Sequence, residues 1–122
     1  MKNSKLLLCF LLSCFLSLLM CKREEMEVAT GEVSDIFPTT VKITGYIISA
    51  GDGIRKYGHC YAKTPDPTIL DTKTEYGVTL GIGIYTSFLQ GLEPGTKYYA
   101  RAYISRNNIT VYGKEINFTT AL

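Results

Sequence analysis

His59 and Cys60 are the one adjacent pair in the sequence that could supply a general base and a nucleophile. A catalytic pair of this kind needs its two side chains within hydrogen-bond reach. Adjacent side chains on a β-strand point to opposite faces, and the surrounding residues are strand formers. We therefore predict no catalytic dyad, and we expect Cys60, which shares a face with Gly58 and Ala62, to be a buried apolar filler.

Ligands for a metal are equally scarce. The chain has one histidine, and Cys60 is its only cysteine after residue 21, which is too few ligands for a zinc site. Asp52 lies between two glycines, but no further carboxylates follow at the spacing of a calcium loop. We predict a protein that is not an enzyme and that has no catalytic residues, no metal site and no cofactor.

The first twenty residues predict a signal segment. Lys2 and Lys5 precede an apolar run, residues 6–20, in which only two serines are polar. As a helix this run would reach roughly 23 Å, short of the ~30 Å hydrocarbon core of a bilayer. A cleaved signal peptide over residues 1–20 is favoured, and a short transmembrane anchor is the alternative.

Cys21 ends this apolar run, and at this point the segment resembles a bacterial lipoprotein signal peptide. In that family a short motif precedes a cysteine that receives a lipid and becomes the first residue of the mature protein. Leu18 fits the third position before the cysteine, whereas Met20 departs from the small residue that the family has next to it. The resemblance implies a lipid on Cys21 and a membrane as partner. Cys14 is the alternative site, and a cleaved signal without a lipid is another.

A short charged linker, residues 21–26, follows the apolar run. Its mixed charges at 22–25 resemble a signal for export to the outer leaflet, and an ordinary solvated linker is the alternative. Loss of Lys2 and Lys5 with the signal lowers the basic residues from 13 to 11, equal to the 11 acidic residues. A neutral domain without a basic stripe is not expected to bind nucleic acid.

The remainder, residues 27–122, predicts an all-β domain. No window has a sustained 3.6-residue apolar period, and short runs rich in Val, Ile, Thr and Tyr alternate with Gly, Pro, Asn and Asp clusters. Turn residues at 50–53 and 107–108 suit hairpins. We predict a sandwich of six to seven strands, at residues 27–34, 39–49, 54–63, 83–90, 97–105 and 110–119, with a seventh, short strand at 72–78.

The segment before the sixth predicted strand resembles a fibronectin type III domain. That family has a Leu, a Pro-Gly turn, a Thr and then a Tyr that begins the sixth strand. Leu92, Pro94, Gly95 and Tyr98 occupy those positions. The resemblance implies a seven-stranded immunoglobulin-like sandwich with a tyrosine corner, in which the Tyr hydroxyl bonds to upstream backbone.

The wider pattern, including residues 57–61, 85–89 and 112–120, is similar to fibronectin-like domains of surface and periplasmic lipoproteins in the Bacteroidetes. The sequence departs from the fibronectin family in having no tryptophan, and Gly45 lies near the position where the family often has one.

Aromatic residues on the third and sixth strands are the candidate binding residues. Tyrosine suits contacts with glycans and proteins because its rigid ring also carries a hydroxyl. If the two strands are neighbours, strand alternation would place three residues from each of them on one shared outward face. The alternative is that these side chains only pack against each other across the strands. The sets are Tyr57, His59 and Tyr61, and Tyr99, Arg101 and Tyr103.

These features together predict a non-catalytic lipoprotein of the bacterial cell envelope, anchored to the outer membrane on its surface or periplasmic side. Its sandwich would act as a binding or adhesion module for a protein or glycan. The alternative is a structural spacer or an assembly subunit of a surface complex or filament, in which a sheet edge pairs with a strand of another chain.

Overall fold

A computed structural model describes residues 25–79 and 81–122, and these form eight β-strands. The predicted signal segment and both candidate lipidation sites, Cys21 and Cys14, lie outside the described residues. Within them, no helix is long and apolar enough to cross a membrane. The strands are β1 (Met26–Ser34), β2 (Val41–Ala50), β3 (Lys56–Ala62), β4 (Thr72–Lys73), β5 (Gly83–Leu89), β6 (Lys97–Arg106), β7 (Ile109–Tyr112) and β8 (Ile116–Thr119).

The strands form two antiparallel sheets packed face to face. The three-stranded sheet has the order β1-β2-β5. In the second sheet β3 lies between β4 and β6, and the far side of β6 pairs with β7 and then with β8. The predicted all-β sandwich is confirmed.

The core lies between the sheets and follows the alternation of β2 and β6. Val41 and Ile43 on β2, and Ala102 and Ile104 on β6, are almost completely buried. Burial of each aliphatic side chain contributes roughly 1.5–3 kcal/mol. At Gly45 the ring of Tyr85 from β5 fills the space where a side chain would otherwise lie.

The last predicted strand is interrupted, so that residues 110–119 form β7 and β8 instead of one strand. Gly113 lies at the break, and its N–H donates to the Ala102 carbonyl (2.8 Å). A Cβ there would lie 2.6 Å from Thr30 Oγ1 and 2.7 Å from Thr30 N. The chain therefore bends where β1 crosses close to it.

The segment between β3 and β5 covers the outer face of β3. Its predicted strand, 72–78, pairs as a ladder only through β4, and single bridges then join Tyr57 to Tyr76 and Ile54 to Thr79. Pro67 in the same segment is fully buried. As a result β3 is buried on both faces, and four consecutive residues of the strand are inaccessible.

The two ends of the sandwich differ in what they hold. At the proximal end the chain enters β1, β2 finishes, and β5 and β7 begin. The turns there contain Gly51 (φ 55°) and Asn107 (φ 54°), the positive-φ residues expected of hairpins. At the distal end the loops 35–40, 90–96 and 120–122 meet, with Leu92 N–H donating to the Thr39 carbonyl (3.0 Å).

Candidate functional site

The aromatic face predicted for β3 and β6 does not form, because its two halves lie on opposite sides of one sheet. His59 pairs with Ala102, and Cys60 pairs with Arg101. Directly paired residues point to the same face. The set Tyr57, His59 and Tyr61 therefore points into the sandwich, whereas Tyr99, Arg101 and Tyr103 point away from it.

The inward set belongs to the core. Tyr61 packs with Tyr98 in one cluster of buried residues. The ring of Tyr57 lies 5.0 Å from that of Tyr85 in an edge-to-face arrangement and 5.4 Å from that of Tyr76. These rings stabilise packing between the sheets and are not a binding surface.

The outward set is partly covered by the segment between β3 and β5. Tyr103 is 1% exposed, and its hydroxyl donates to the Thr74 carbonyl (2.6 Å). Arg101 Nε donates to the Pro67 carbonyl, and its guanidinium lies 3.9 Å from the centre of the Tyr112 ring. Tyr99 and Arg101 remain half-buried, so two of the six predicted residues keep outward-facing surface.

His59 contacts Ser87 of the opposite sheet instead of Cys60. Its Nδ1 lies 2.7 Å from Ser87 Oγ, and its Nε2 lies 3.0 Å from the Thr44 carbonyl. Ser87 Oγ is also 2.8 Å from Thr74 Oγ1, which accepts from the backbone N–H of His59 (2.9 Å). This buried network joins β2, β3 and β5.

The partners of His59 determine where its proton lies. A carbonyl can only accept, so Nε2 carries the hydrogen and donates to Thr44. In the neutral ring Nδ1 then accepts from the Ser87 hydroxyl, and Ser87 accepts in turn from Thr74. Burial lowers the pKa of His59 from 6.5 to about 4, and the bond to Thr44 opposes that shift in part. The imidazole is therefore neutral at neutral pH.

A serine hydroxyl bonded to a neutral imidazole is one part of a nucleophilic catalyst. Here, however, both His59 and Ser87 are fully buried. Each polar atom already has a partner, and a substrate has no path to the hydroxyl in this conformation. The arrangement is a hydrogen-bonded link between the two sheets. Sequence reasoning missed Ser87, although a polar residue at an inward position of β5, between Tyr85 and Leu89, was the available signal.

Cys60 is buried on the covered face of β3, as expected from its small neighbours on that face. Its thiol is completely inaccessible and lies 3.4 Å from the Pro67 carbonyl. Burial raises the pKa of the thiol, with the nearby Arg101 acting in the opposite direction. A neutral, inaccessible thiol is a poor nucleophile.

The loop that carries the fibronectin-like residues is fixed by Tyr98. The Glu93 N–H donates to the Tyr98 hydroxyl (2.9 Å), and Tyr98 stacks on Phe118 with ring centres 5.8 Å apart. Leu92 is buried, and Gly95, after Pro94, has a φ of 59°. These contacts hold the crossing from β5 to β6 at the distal end.

The outer face of the three-stranded sheet carries four of the five large hydrophobic residues that are exposed on the described strands. Tyr46 pairs with Ile84, and Phe88 pairs with Lys42. The exposed fractions are 37% for Tyr46, 50% for Ile48, 68% for Ile84 and 60% for Phe88. Contiguous apolar patches on a protein surface typically mark interaction sites. We call these four residues the apolar face.

The apolar face continues to an open strand edge. Among the described residues β5 pairs with β2 alone. On its other side the Thr86 carbonyl accepts from the Tyr76 hydroxyl (3.1 Å), so the backbone of Thr86 points away from β2 and the edge is bonded at this one position by a side chain. Residues 76–92 contain no charged residue and no proline, so this edge lacks two of the features that usually prevent pairing with another strand.

Two shallow clefts flank the point where the chain enters β1. One, of about 440 Å³, has Glu25, Asp52, Arg106 and Ile109 in its lining. The other, of about 540 Å³, is lined by Glu25, Glu27 and Ile48, and by Ile82. Arg106 pairs with Asp52 across the proximal turns at 3.0 Å. Both clefts are open, and the described residues that line them form no cluster of ionisable groups suited to catalysis.

Solved structures with a similar fold include sensor and fibronectin domains. The sensor domain of the anti-sigma factor RsgI4 from Pseudobacteroides cellulosolvens matches over 80% of this chain and 76% of its own length, with a TM-score of 0.64 and 16% identity. The match to a shorter form of that domain covers 96% of that form, with a TM-score of 0.62. The fibronectin type III domain of the human KIAA0970 protein matches over 77% of this chain and 72% of its own, with a TM-score of 0.54 and 20% identity.

No family model matches the chain, and no curated protein sequence matches it. At these identities the structural matches establish the fold alone. They confirm the predicted fold class, and the chain has a fibronectin type III-like β-sandwich.

Proposed function

We propose that this chain is a non-catalytic lipoprotein of the bacterial cell envelope whose sandwich binds a protein partner through the apolar face. The observation that carries the proposal is the exposure of Tyr46, Ile48, Ile84 and Phe88 on the same outward face of β2 and β5. Leaving such side chains in water forgoes roughly 1.5–3 kcal/mol for each one that could be fully buried. A partner that covers the face recovers that free energy.

The chemistry of the face favours a protein over a glycan. Sugar rings are bound by aromatic faces together with hydrogen-bonding side chains, whereas two of these four residues are isoleucines. Lys42 and the half-buried Thr44 and Thr86 are its polar neighbours. The Thr44–Thr86 pair separates Phe88 from Tyr46 and Ile84. Apolar side chains interspersed with a few polar groups are the usual composition of a protein interface.

Photocrosslinking in the cells that produce the protein tests the partner. A photoreactive residue at Phe88 of the full-length chain should give a discrete adduct. The same residue at Asn117, which is exposed on the other sheet, should not. Ile84→Lys should abolish the adduct without unfolding the domain. Equal labelling from both positions, or an adduct that survives Ile84→Lys, would contradict binding at the apolar face.

The anchor is tested separately by incorporation of radiolabelled palmitate. We expect label in the wild type and in Cys14→Ala, and loss of label in Cys21→Ala. Label that persists in Cys21→Ala and disappears in Cys14→Ala would show that Cys14 is the lipidated residue. Protease treatment of intact cells then separates the cell surface from the periplasm, because only a surface domain is cleaved.

The open edge of β5 favours one second candidate, an assembly subunit that adds a strand of another copy to its sheet. Strand addition satisfies the free backbone groups of an edge and places apolar side chains of both chains in one row. An adduct from Phe88 with twice the mass of the chain, together with a dimer in sedimentation, would support this candidate. An adduct with a different protein supports the first.

A further inference from the structure

The proximal end exposes isoleucines close to the proposed lipid. Ile48, Ile82 and Ile109 are 50%, 71% and 63% exposed. They border the two clefts that meet at Glu25 and Gly51. The apolar side chains therefore surround the point at which the chain enters the sandwich.

The distance along the chain limits how far this end can be from the anchor. Four residue steps separate Cys21 from Glu25. A fully extended chain covers at most about 3.6 Å per residue, which allows about 14 Å here whatever the conformation. A lipid on Cys21 thus holds Glu25 within about 14 Å of the lipidated residue, so the proximal end can reach the headgroup region.

The charges near these isoleucines do not oppose contact with lipid. Asp52 is paired with Arg106. The exposed Arg55 lies immediately before β3, and the exposed Lys56 begins that strand. The carboxylates of Glu25 and Glu27 in the clefts are exposed, so they stay hydrated at headgroup depth. Contact through aliphatic side chains is also nearly independent of salt.

We propose that the proximal end is a membrane-contact surface, on which Ile48, Ile82 and Ile109 enter the headgroup region of the bilayer. This inference rests on the lipid anchor of the proposed function. It fixes the orientation of the domain: the strands stand away from the bilayer and the distal end points outward. The rest of the apolar face, without Ile48, then lies on the side of the domain, where a neighbouring protein can reach it.

Spin labels on the lipidated protein test this orientation. Each label is attached to a single cysteine introduced as Ile82→Cys, Ile109→Cys or, as the control, Phe88→Cys. Cys60 is buried and does not compete for the reagent. Phe88 is about as exposed as Ile109 and lies at the far end of β5, six residues after Ile82. At 3.3–3.4 Å per residue it is up to about 20 Å further along the chain.

The protein is purified with its lipid and reconstituted in vesicles of phosphatidylethanolamine and phosphatidylglycerol. Oxygen concentrates in lipid and a nickel chelate stays in water, so their collision rates report depth. The oxygen-to-nickel ratio should be several-fold higher at 82 and 109 than at 88, and unchanged by high salt.

Three other outcomes would overturn the inference in distinguishable ways. Equal, water-like ratios at all three positions in vesicle-bound protein would remove the membrane contact and leave the anchor intact. Labels at 82 that both reagents fail to reach, with spin–spin broadening, would show a second copy covering this end. Protein that carries no lipid and does not sediment with vesicles would overturn the anchor and this inference together.

Discussion

The imidazole of His59 is a buried titratable group of the described core, and burial lowers its pKa to about 4. Its two ring nitrogens and the hydroxyls of Ser87 and Thr74 form one directional chain of hydrogen bonds. A second proton on the ring would make Nδ1 a donor, and the Ser87 hydroxyl would then lose Nδ1 as its acceptor. Charge on the buried ring would also lose its hydration. Both effects oppose protonation in the folded state.

Stability should therefore fall with pH below the ordinary range of histidine. The folded-state pKa is lowered from 6.5 to about 4, so the unfolded chain binds more protons between these values. The stabilisation is complete above pH 6.5 and is lost as the pH falls to about 4, and it amounts to about 3 kcal/mol. Urea unfolding at intervals across this range measures it.

The matched control is His59→Gln, which removes the titrating group. This variant should be less stable at pH 7, and its free energy of unfolding should vary less between pH 6.5 and pH 4, where only carboxylates then titrate. If the free energy of unfolding fell equally with pH in the variant and the wild type, His59 would not be the source of the pH dependence.

The hydroxyl of Tyr98 gives a second test on single residues. Tyr98→Phe removes the acceptor of the Glu93 N–H and should lower the free energy of unfolding by about 1 kcal/mol. Tyr99→Phe is the control, since the neighbouring ring is half-buried on the outward face, and it should change stability by less than about 0.5 kcal/mol. Equal effects would mean that the hydroxyl does not fix the loop. Thermal and urea unfolding provide the measurement.

Among the elements, the long strands were predictable to within a few residues, because turn residues bound each of them. The division of the last strand into β7 and β8 was not predictable, since Gly113 is constrained by Thr30, which is far from it in sequence. The direction of the β3 side chains was also missed. Alternation divides the side chains of a strand between two faces, and the prediction assumed that one face is exposed to solvent. Both faces of β3 are covered. A tyrosine or histidine there gives no signal for the inward side.

Strand β2 depends on a glycine that no local rule explains. A Cβ at Gly45 would lie 2.7 Å from Tyr85 Cε1 and closer still to another ring atom. The ring would have to move, and its hydroxyl would lose the bond to the Gly58 carbonyl (2.7 Å). Gly45→Ala should therefore destabilise the domain by about 1–3 kcal/mol.

The control for this substitution is Gly77→Ala, where a Cβ meets no atom within 4 Å. Its effect should stay within about 0.5 kcal/mol of the wild type. Chemical denaturation of both variants gives the comparison. If Gly45→Ala were as stable as Gly77→Ala, the ring of Tyr85 would not be held against β2.

At the scale of the whole molecule, the domain folds without a disulfide, and its stability rests on the packing of the two sheets. Cys60 is the only cysteine after residue 21 and is fully buried. Its reaction with a thiol reagent therefore requires the covering segment or the entire domain to open.

We expect the modification rate of Cys60 in the mature domain to follow the free energy of global unfolding. Destabilisation by Gly45→Ala should raise the rate in proportion to the unfolded population, whereas Gly77→Ala should not. In a second control, the exposed position in Asn117→Cys should react at once in folded protein. Rapid labelling of Cys60 without any change from Gly45→Ala would indicate that residues 64–79 open independently of the sheets.

The open edge of β5 also limits how densely such a domain can be carried on a membrane. Residues 76–92 have no charge with which neighbouring copies could repel each other at that edge. Confinement to a surface raises the frequency of encounters far above that of the same number of molecules in solution. Copies spread thinly would stay single, and copies concentrated in one area would meet edge to edge. The number of molecules per unit area thus becomes a variable that selects between the two states.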